Sequence, residues 1–370
     1  MKKRLITPYK TIGIIGGGQL GKMMALSAKT MGYYVVVIDP SPDCPCGQVS
    51  DTHIQADYND INAIKELACA SDIITYEFEN IDYSCLNYLE GNSYLPQGSK
   101  LLKISQNRYM EKEAINKIGI KTAPYSLINT KEELYDNISY PSVLKTTIGG
   151  YDGKGQVVIK NDSDLKNAIN LLKNQCILEK WVDFSKEISV IVTGSVNGEL
   201  SVFPVSENIH VDNILYQSIV PARISPDIEK EAIDYALKIA KNFNLVGTLA
   251  VEMFVTKDDE IYVNEVAPRP HNSGHYTLDA CETSQFEQHI RGICGLPLGS
   301  TKLLTPVVMV NILGKHIQKF FDYIPLLSTA KIHIYGKREA RDKRKMGHIN
   351  ILSNNLEDTF NYINTSGIWQ

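Results

Sequence analysis

"LAVEMFVTKDDEIYVNEV", residues 249–266, reads as two alternating strands around a polar tip. A hairpin centred on Asp258 and Asp259 sets Glu252 directly opposite Glu265 on one face, with Phe254 and Val263 as the next pair. Like charges at that separation repel by roughly 1 kcal/mol in water and about 4 kcal/mol at the effective dielectric of a partly buried site. A cation between them removes the conflict. Mg²⁺, with Mn²⁺ as a substitute, takes a few carboxylates and lets phosphate oxygens complete its shell, so Glu252 and Glu265 are the predicted metal ligands. The competing reading is a bulge that turns one glutamate to solvent.

Upstream, "LKTTIGGYDGKGQ" (144–156) places four glycines within seven residues, with Lys145 before them and Lys154 among them. Backbone N–H groups of such a loop cradle phosphate oxygens while the ammonium groups offset their charge. The G-K-[ST] ending of a Walker loop is missing. An ordinary hairpin tip, "GYDGKG", is the plainer alternative. Downstream, "NEVAPRPHNSGH" packs Asn264, Arg269, His271, Asn272 and His275 into a proline-stiffened loop beside the predicted metal. Arginine and histidine there suit recognition of a planar anion or a proton transfer.

Between them, "ILEKWVDFSKEISV" (177–190) ends a strand at Glu179, Lys180, Trp181 and Val182, an apolar wall with free backbone groups that fits an adenine, with Glu187 near enough for ribose hydroxyls. An edge strand explains the segment equally well. Late in the chain, "HIYGKREARDKRKMGH" (333–348) concentrates positive charge, either as a solvated face or as a site for a phosphate-bearing substrate.

The first hundred residues offer a rival. "TIGIIGGGQLGKMMALSAKTMGYYVVVIDP" (11–40) is strand, glycine turn, helix and strand; Gly16, Gly18 and Gly21 fit G-x-G-x-x-G, and Asp39 stands where a ribose-binding acid would. An NAD(P)-dependent oxidoreductase is therefore the reading from a different class. It leaves the second glycine loop and the paired glutamates idle.

The chain has 370 residues, a length that allows two to three domains. Its net charge of −4 gives no footprint for nucleic acid. The start "MKKRLITPYK" lacks the apolar core of a signal peptide, and no run reaches membrane-span length. With seven scattered cysteines, none at metal or redox spacing, a cytoplasmic protein with reduced thiols is expected. Strand and helix alternate to about residue 104, predicting a parallel doubly wound sheet. "PQGSKLLKISQNRYMEKEAINKIGIKTAPY" predicts helix up to Gly119. Short strands and one helix, "SDLKNAINLLKN" capped by Ser163 or Asp162, follow to about 182, then β-rich stretches and a small β-rich tail after 305.

Taken together, the glycine loop with its lysine, the opposed glutamates and N-E at a strand end resemble the ATP-grasp superfamily. "GIIGGGQLGKM", "YEFENI", "GGYDGKGQ", "NEVAPRPHNSGH" and "YGKRE…RKMGH" are more specifically similar to the N5-carboxyaminoimidazole ribonucleotide synthetases of de novo purine synthesis. The resemblance implies a mixed α/β and α+β architecture. It has an N-terminal Rossmann-like pre-ATP-grasp domain (1–104), an ATP-grasp domain (105–304) with a lid at about 125–182, and a C-terminal β-rich domain (305–370). It also implies a homodimer whose substrates are ATP, bicarbonate and aminoimidazole ribonucleotide, and it puts the Rossmann-like turn on the acceptor side.

By the same resemblance, ATP falls to Arg108, Lys145, the loop Gly150, Tyr151, Asp152, Gly153, Lys154, Gly155 and Gln156, the hinge Glu179 to Val182, Glu187, His210, Asn264 and Glu265. The ribonucleotide falls to Tyr151, Asp152, Arg269, His271, Asn272, Lys337, Arg344 and Lys345, with Gln19 and Glu77 as further contacts. Lys145 and Arg269 would stabilise the transferring phosphoryl group; Asp152 or His271 would take the amine proton. The sequence departs from the pattern at Asn107, where an aspartate is common, and at Thr147, where a basic residue is expected. Other ATP-grasp ligases, such as a formate-dependent glycinamide ribonucleotide transformylase or a biotin carboxylase, share the ATP equipment, but "PRPHNSGH" and "RKMGH" argue against them. A non-catalytic ATP-binding regulator would be expected to lack one of Lys145, Asp152, Glu252 or Glu265, and all four are present.

Overall fold

The computed structural model describes residues 4–150 and 154–369. Apolar runs without alternation make the N-terminal sheet, because strands covered by helices on both faces meet no water. β1 (Thr11–Ile15), β2 (Tyr34–Ile38), β3 (Thr52–Ile54) and β4 (Ile73–Tyr76) are all parallel, in the order β3-β2-β1-β4. The helix Gln19–Thr30 shares an apolar core with the helix Gln285–Cys294, with Met24, Phe286, Ile290 and Ile293 all buried, and this core seats the Rossmann-like unit on the rest of the chain.

A second, antiparallel sheet forms the lid: β5 (Tyr125–Ile128), β6 (Ser142–Thr146), β7 (Gln156–Ile159) and β8 (Cys176–Lys180), ordered β5-β8-β6-β7. β8 is thus an interior strand, which removes the edge-strand reading of "ILEKWV". β6 and β7 pair from Lys145 with Gln156, so the glycine loop is also a hairpin connection; the two readings of that loop describe one object.

The central sheet holds β9 (Phe184–Gly194), β10 (Leu200–Val202), β11 (Ser206–Val211), β12 (Ile214–Val220), β13 (Gly247–Thr256), β14 (Ile261–Ala267), β15 (Val307–Leu313), β16 (Ala330–Ile334) and β17 (Lys345–Leu352). They run β14-β13-β9-β11-β12-β15-β17-β16, with β10 beside β9. The C-terminal strands join the central sheet where β12 pairs with β15, so the basic segment before β17 is carried by the same sheet as the paired glutamates. The helix Pro226–Asn242, capped by Ser225, lays Ala232, Ala236 and Ile239 on this sheet at helical spacing.

Local chemistry redirects several sequence expectations. The helix before Gly119 is two helices, Lys100–Ser105 and Arg108–Lys117, because Asn107 adopts extended backbone and caps the second through the Tyr109 and Met110 amides. That is the work of the residue at this departure from the family pattern. "SDLKNAINLLKN" is capped by Asn161 instead of Ser163 or Asp162, and it begins and ends in 3₁₀ turns around Leu165–Ile169. A lid helix, Lys131–Asn137, was not expected; Thr130 accepts from the Glu133 amide as its cap.

Two glycines of the first turn are required by geometry. Gly16 has φ of 111°, and a Cβ on Gly21 would collide with the Gly16 carbonyl oxygen. Gly21→Ala is therefore expected to destabilise the protein by about 1–3 kcal/mol through overpacking. Urea unfolding measures this; an unchanged midpoint would show that the helix start can shift.

Candidate active site

The hairpin at 249–266 places its acids opposite each other. Glu252 pairs with Glu265 in the β13–β14 ladder, but Phe254 pairs with Tyr262, not Val263. The tip is a three-residue loop with Asp259 at φ 60°, which moves the register by one. An extra residue at Asn264 then restores it before Glu265. A bulge is present, as the alternative reading held, yet it keeps both carboxylates on the cleft and adds the Asn264 side chain to the same wall. Burial first, and then Glu265, pushes the Glu252 carboxyl up to about 8. No group of three or more His, Cys, Asp or Glu residues among the described residues could hold a metal. A pair of carboxylates that needs further oxygens from a ligand fits Mg²⁺ bound together with phosphate.

The cleft has a volume of about 780 Å³ and lies between lid and central sheet. Its lining includes Arg108, Lys145, Gly150, Lys154, Gln156, Glu179, Lys180, Trp181, Val182, Glu187, His210, Asn264 and Glu265 from the expected ATP set. Gly155 does not line it, but its φ of 70° and a Thr146 Oγ1 2.8 Å from where a Cβ would sit explain why glycine stands there. Tyr151, Asp152 and Gly153 lie outside the described residues. Phe184 stacks on Phe254, 4.5 Å between ring centres, and forms an aromatic floor with Val143, Val158 and Val182 nearby.

Several side chains are already engaged. Glu179 Oε2 is 2.9 Å from Lys145 Nζ and Oε1 is 3.3 Å from Lys112 Nζ, so its carboxylate holds two lysines and the hinge offers a ligand its backbone. Burial would raise this acid, but Lys145 and Lys112 hold it at about 2. Arg108 donates to the carbonyls of Thr146 and Gly150, tying down the base of the glycine loop. Thr147 is buried and donates to the Gln175 carbonyl, so the second departure from the family pattern faces away from the cleft. His210 Nδ1 lies 3.2 Å from Glu187; burial would lower its pKa, but that carboxylate outweighs burial and raises it.

On the acceptor side, Arg269 makes a two-pronged contact with Glu79, 3.1 Å on each prong. Its expected anion role is shared with this acid. His271 Nδ1 accepts from the Ser273 amide, which leaves the proton on Nε2, 3.4 Å from Glu252. Burial first, and Arg269 next, drives the His271 pKa well below its usual value, so the ring is neutral. Asn272 lines the cleft 6% exposed, and neither atom of its amide has a partner among the described residues. Such a group calls for a ligand.

A second cavity, about 820 Å³, adjoins the first, and Gln19, Lys154 and Lys345 line both. Lys337 and Arg344 line it as expected, joined by Arg338, Arg341 and Lys343. Its floor is the glycine turn of β1. Gly17 and Gly18 amides, which a dinucleotide pyrophosphate would need, donate instead to Asp39 at 2.8 Å and Glu77 at 2.7 Å. The nicotinamide reading fails on this point: the chain's own carboxylates occupy the anion site at the helix start. Burial raises the Glu77 pKa, against Arg269 and the Gly18 amide.

Sequence reasoning missed Lys112, Glu111 and Glu79. Glu79 was within reach, inside "YEFENI". Lys112 and Glu111 gave no signal, because each meets its partner far along the chain: Glu179 for Lys112, and the Val266 amide at 2.8 Å for Glu111.

A lid over an antiparallel sheet, with opposed glutamates and a glycine loop facing each other across the cleft, defines an ATP-grasp enzyme. Residues 9–106 match the ribonucleotide synthetase preATP-grasp domain, 113–286 the ATP-grasp domain and 307–361 the phosphoribosylaminoimidazole carboxylase C-terminal domain. N5-carboxyaminoimidazole ribonucleotide synthase of Bacillus subtilis (strain 168) is 60% identical over 356 residues, 95% of this chain and 94% of the relative. The chain belongs to the N5-carboxyaminoimidazole ribonucleotide synthase family, ATP-dependent carbon–nitrogen ligases that carboxylate 5-aminoimidazole ribonucleotide in purine biosynthesis.

The Staphylococcus aureus (strain COL) synthase is 45% identical over 354 residues, 94% of each chain. A crystal structure of an ADP complex of N5-carboxyaminoimidazole ribonucleotide synthetase matches with a TM-score of 0.98 at 59% identity, covering 100% of this chain and 99% of the other. The Aspergillus clavatus enzyme in complex with ADP and 5-aminoimidazole ribonucleotide matches with a TM-score of 0.89 at 31% identity, covering 96% and 97%.

Removing one of the opposed charges should relieve their repulsion. Above about pH 8, where Glu252 ionises, Glu265→Gln is expected to stabilise the nucleotide-free protein by about 1 kcal/mol or more, and at any pH to abolish ATP turnover. Thermal unfolding in EDTA and an ADP-release assay check both halves; a destabilised variant would mean that the acids do not oppose each other without metal.

Proposed function

We propose that the two adjoining cavities divide one reaction, with ATP in the first, 5-aminoimidazole ribonucleotide in the second, and bicarbonate entering where they meet. The observation that carries this reading is their shared wall, Gln19, Lys154 and Lys345, which sets phosphoryl donor and acceptor on the two sides of the same three side chains. The adenine lies over Phe254 against the hinge Lys180 to Val182, and Glu187 with His210 meets the ribose. Lys145, Lys154 and the loop amides take the phosphates. Glu252, Glu265 and Asn264 would hold Mg²⁺, or Mn²⁺, with phosphate oxygens completing the shell; when bound, the ion offsets the charge that builds on the transferring group.

Bicarbonate attacks the γ-phosphorus, its P–O bond to ADP breaks, and carboxyphosphate forms. Lys145 and Arg269 stabilise the spread charge. The ribonucleotide sits with its phosphate on Lys337, Arg344 and Lys345 and its ring near Arg269, His271 and Asn272, with Gln19 and Glu77 below. Its exocyclic amine then takes the carboxyl group, and phosphate leaves. Exclusion of water by the lid protects the unstable anhydride. Asp152 is the base for the amine proton. A neutral His271 whose Nδ1 is occupied and whose Nε2 carries the proton is better suited to donate a hydrogen bond, here toward Glu252, than to accept that proton.

The working unit is a homodimer in the cytoplasm, divided into units at 1–104, 105–304 and 305–370. Seven free cysteines, five of them buried away from the two cavities and from solvent, suit a reducing compartment. Among the described residues no helix is long and apolar enough to cross a membrane. Sedimentation equilibrium tests the dimer.

ADP release with Mg·ATP and aminoimidazole ribonucleotide, with and without bicarbonate, tests the reaction. Release should require the ribonucleotide, the carboxylated product should require bicarbonate, and EDTA should stop both. Asp152→Asn should retain ATP binding and lose carboxylation by about 10²-fold or more; near-normal turnover would remove Asp152 from the role.

A further inference from the structure

The Lys145 ammonium does not stand alone at the cleft. It shares the carboxylate of Glu179 with Lys112, and Glu179 and Lys112 are 3% and 1% exposed. The three come from separate elements: Lys145 from β6 and Glu179 from β8 in the lid, Lys112 from the helix Arg108–Lys117 outside it. One lysine against one buried carboxylate would be a neutral pair, with the ammonium drawn onto the acid. With two lysines, each carboxylate oxygen faces a different ammonium, so Lys112 on one oxygen leaves the other to Lys145. Lys112 itself does not line the cleft, whereas Lys145 and Glu179 do.

We propose that Lys112 is a positioning residue for ATP, acting through Glu179 to set the direction in which the Lys145 ammonium faces the phosphates. The role rests on Lys145 being a phosphate contact. The same helix holds the glycine loop from Arg108, one turn earlier, so its two cations fix the two parts of the lid that face the triphosphate. The charged groups facing Lys112 are Glu179, Lys145 and, on its own helix, Glu111.

The test is steady-state kinetics on K112M, K145M and the double variant, with KM for ATP and for the ribonucleotide measured separately. Methionine keeps most of the stem, and a partly unfolded preparation lowers kcat without moving KM. K112M should raise KM for ATP about tenfold and leave that for the ribonucleotide within about twofold. The double variant should be no worse for ATP than K145M alone, because both act on one contact. An unchanged KM for ATP in K112M, with a raised one in K145M, would overturn the positioning role and leave Lys145 as a phosphate ligand. An unchanged KM in K145M would overturn the phosphate contact and the inference with it. Should K112M not fold, K112Q, neutral and able to hydrogen bond, carries the same expectations.

Discussion

The repulsion between Glu252 and Glu265 governs the arrangement of the cleft. Two carboxylates face each other across a hairpin ladder, and the fold compensates from several directions without separating them. Glu111, a third acid pushed up to about 8 by burial and then by Glu265, is itself held by the Val266 amide just past Glu265. His271, held neutral, brings a ring N–H toward Glu252. The bulge at Asn264 keeps Glu265 on the cleft side after the three-residue tip has moved the register. A hairpin designed for stability alone would contain none of this. Such a cost is typical of a functional site, where local stability gives way to ligand binding.

The helix Arg108–Lys117 is the mechanical counterpart of that hairpin. Its residues 108, 111 and 112 lie on one face, at the spacing that brings side chains together on a helix. From there Arg108 reaches the glycine loop, Glu111 the strand that carries Glu265 and Lys112 the end of β8 at Glu179. Buried ion pairs with a single good geometry hold these parts of the lid in place more firmly than apolar contacts, which slide. The acceptor side follows a similar logic. Asp39 and Glu77 fill the amides of the glycine turn, so the N-terminal unit keeps the shape of a dinucleotide fold and contributes a wall to another cavity.

Much of this was legible in residue order. Alternation in "LAVEMFVTKDDEIYVNEV" predicts both strands and the opposition of the acids, because side chains on a pleated strand repeat every two residues. The glycine loop, the hinge and the basic run of 333–348 are each contiguous in the chain, and described residues of each line one or both cavities. The register beyond the glutamates was not legible: three tip residues or four give the same composition, and only the φ of Asp259 decides. Nor could the cap at Asn161 be told from Ser163 or Asp162, since all three side chains can accept from a helix amide.

The sequence by itself determined the class of chemistry, the order of the units and most residues that face the two cavities, since each of these depends on local periodicity or on motifs short enough to fold as one piece. The tertiary structure alone decided what those residues are free to do. Whether Glu179 serves a ligand or two lysines, whether Arg269 stands alone or against Glu79, and whether the Gly17 and Gly18 amides are open to a pyrophosphate all depend on partners many residues distant in the chain. Pairing at that range is set by how the sheets and helices pack, and no spacing rule within a single segment encodes it.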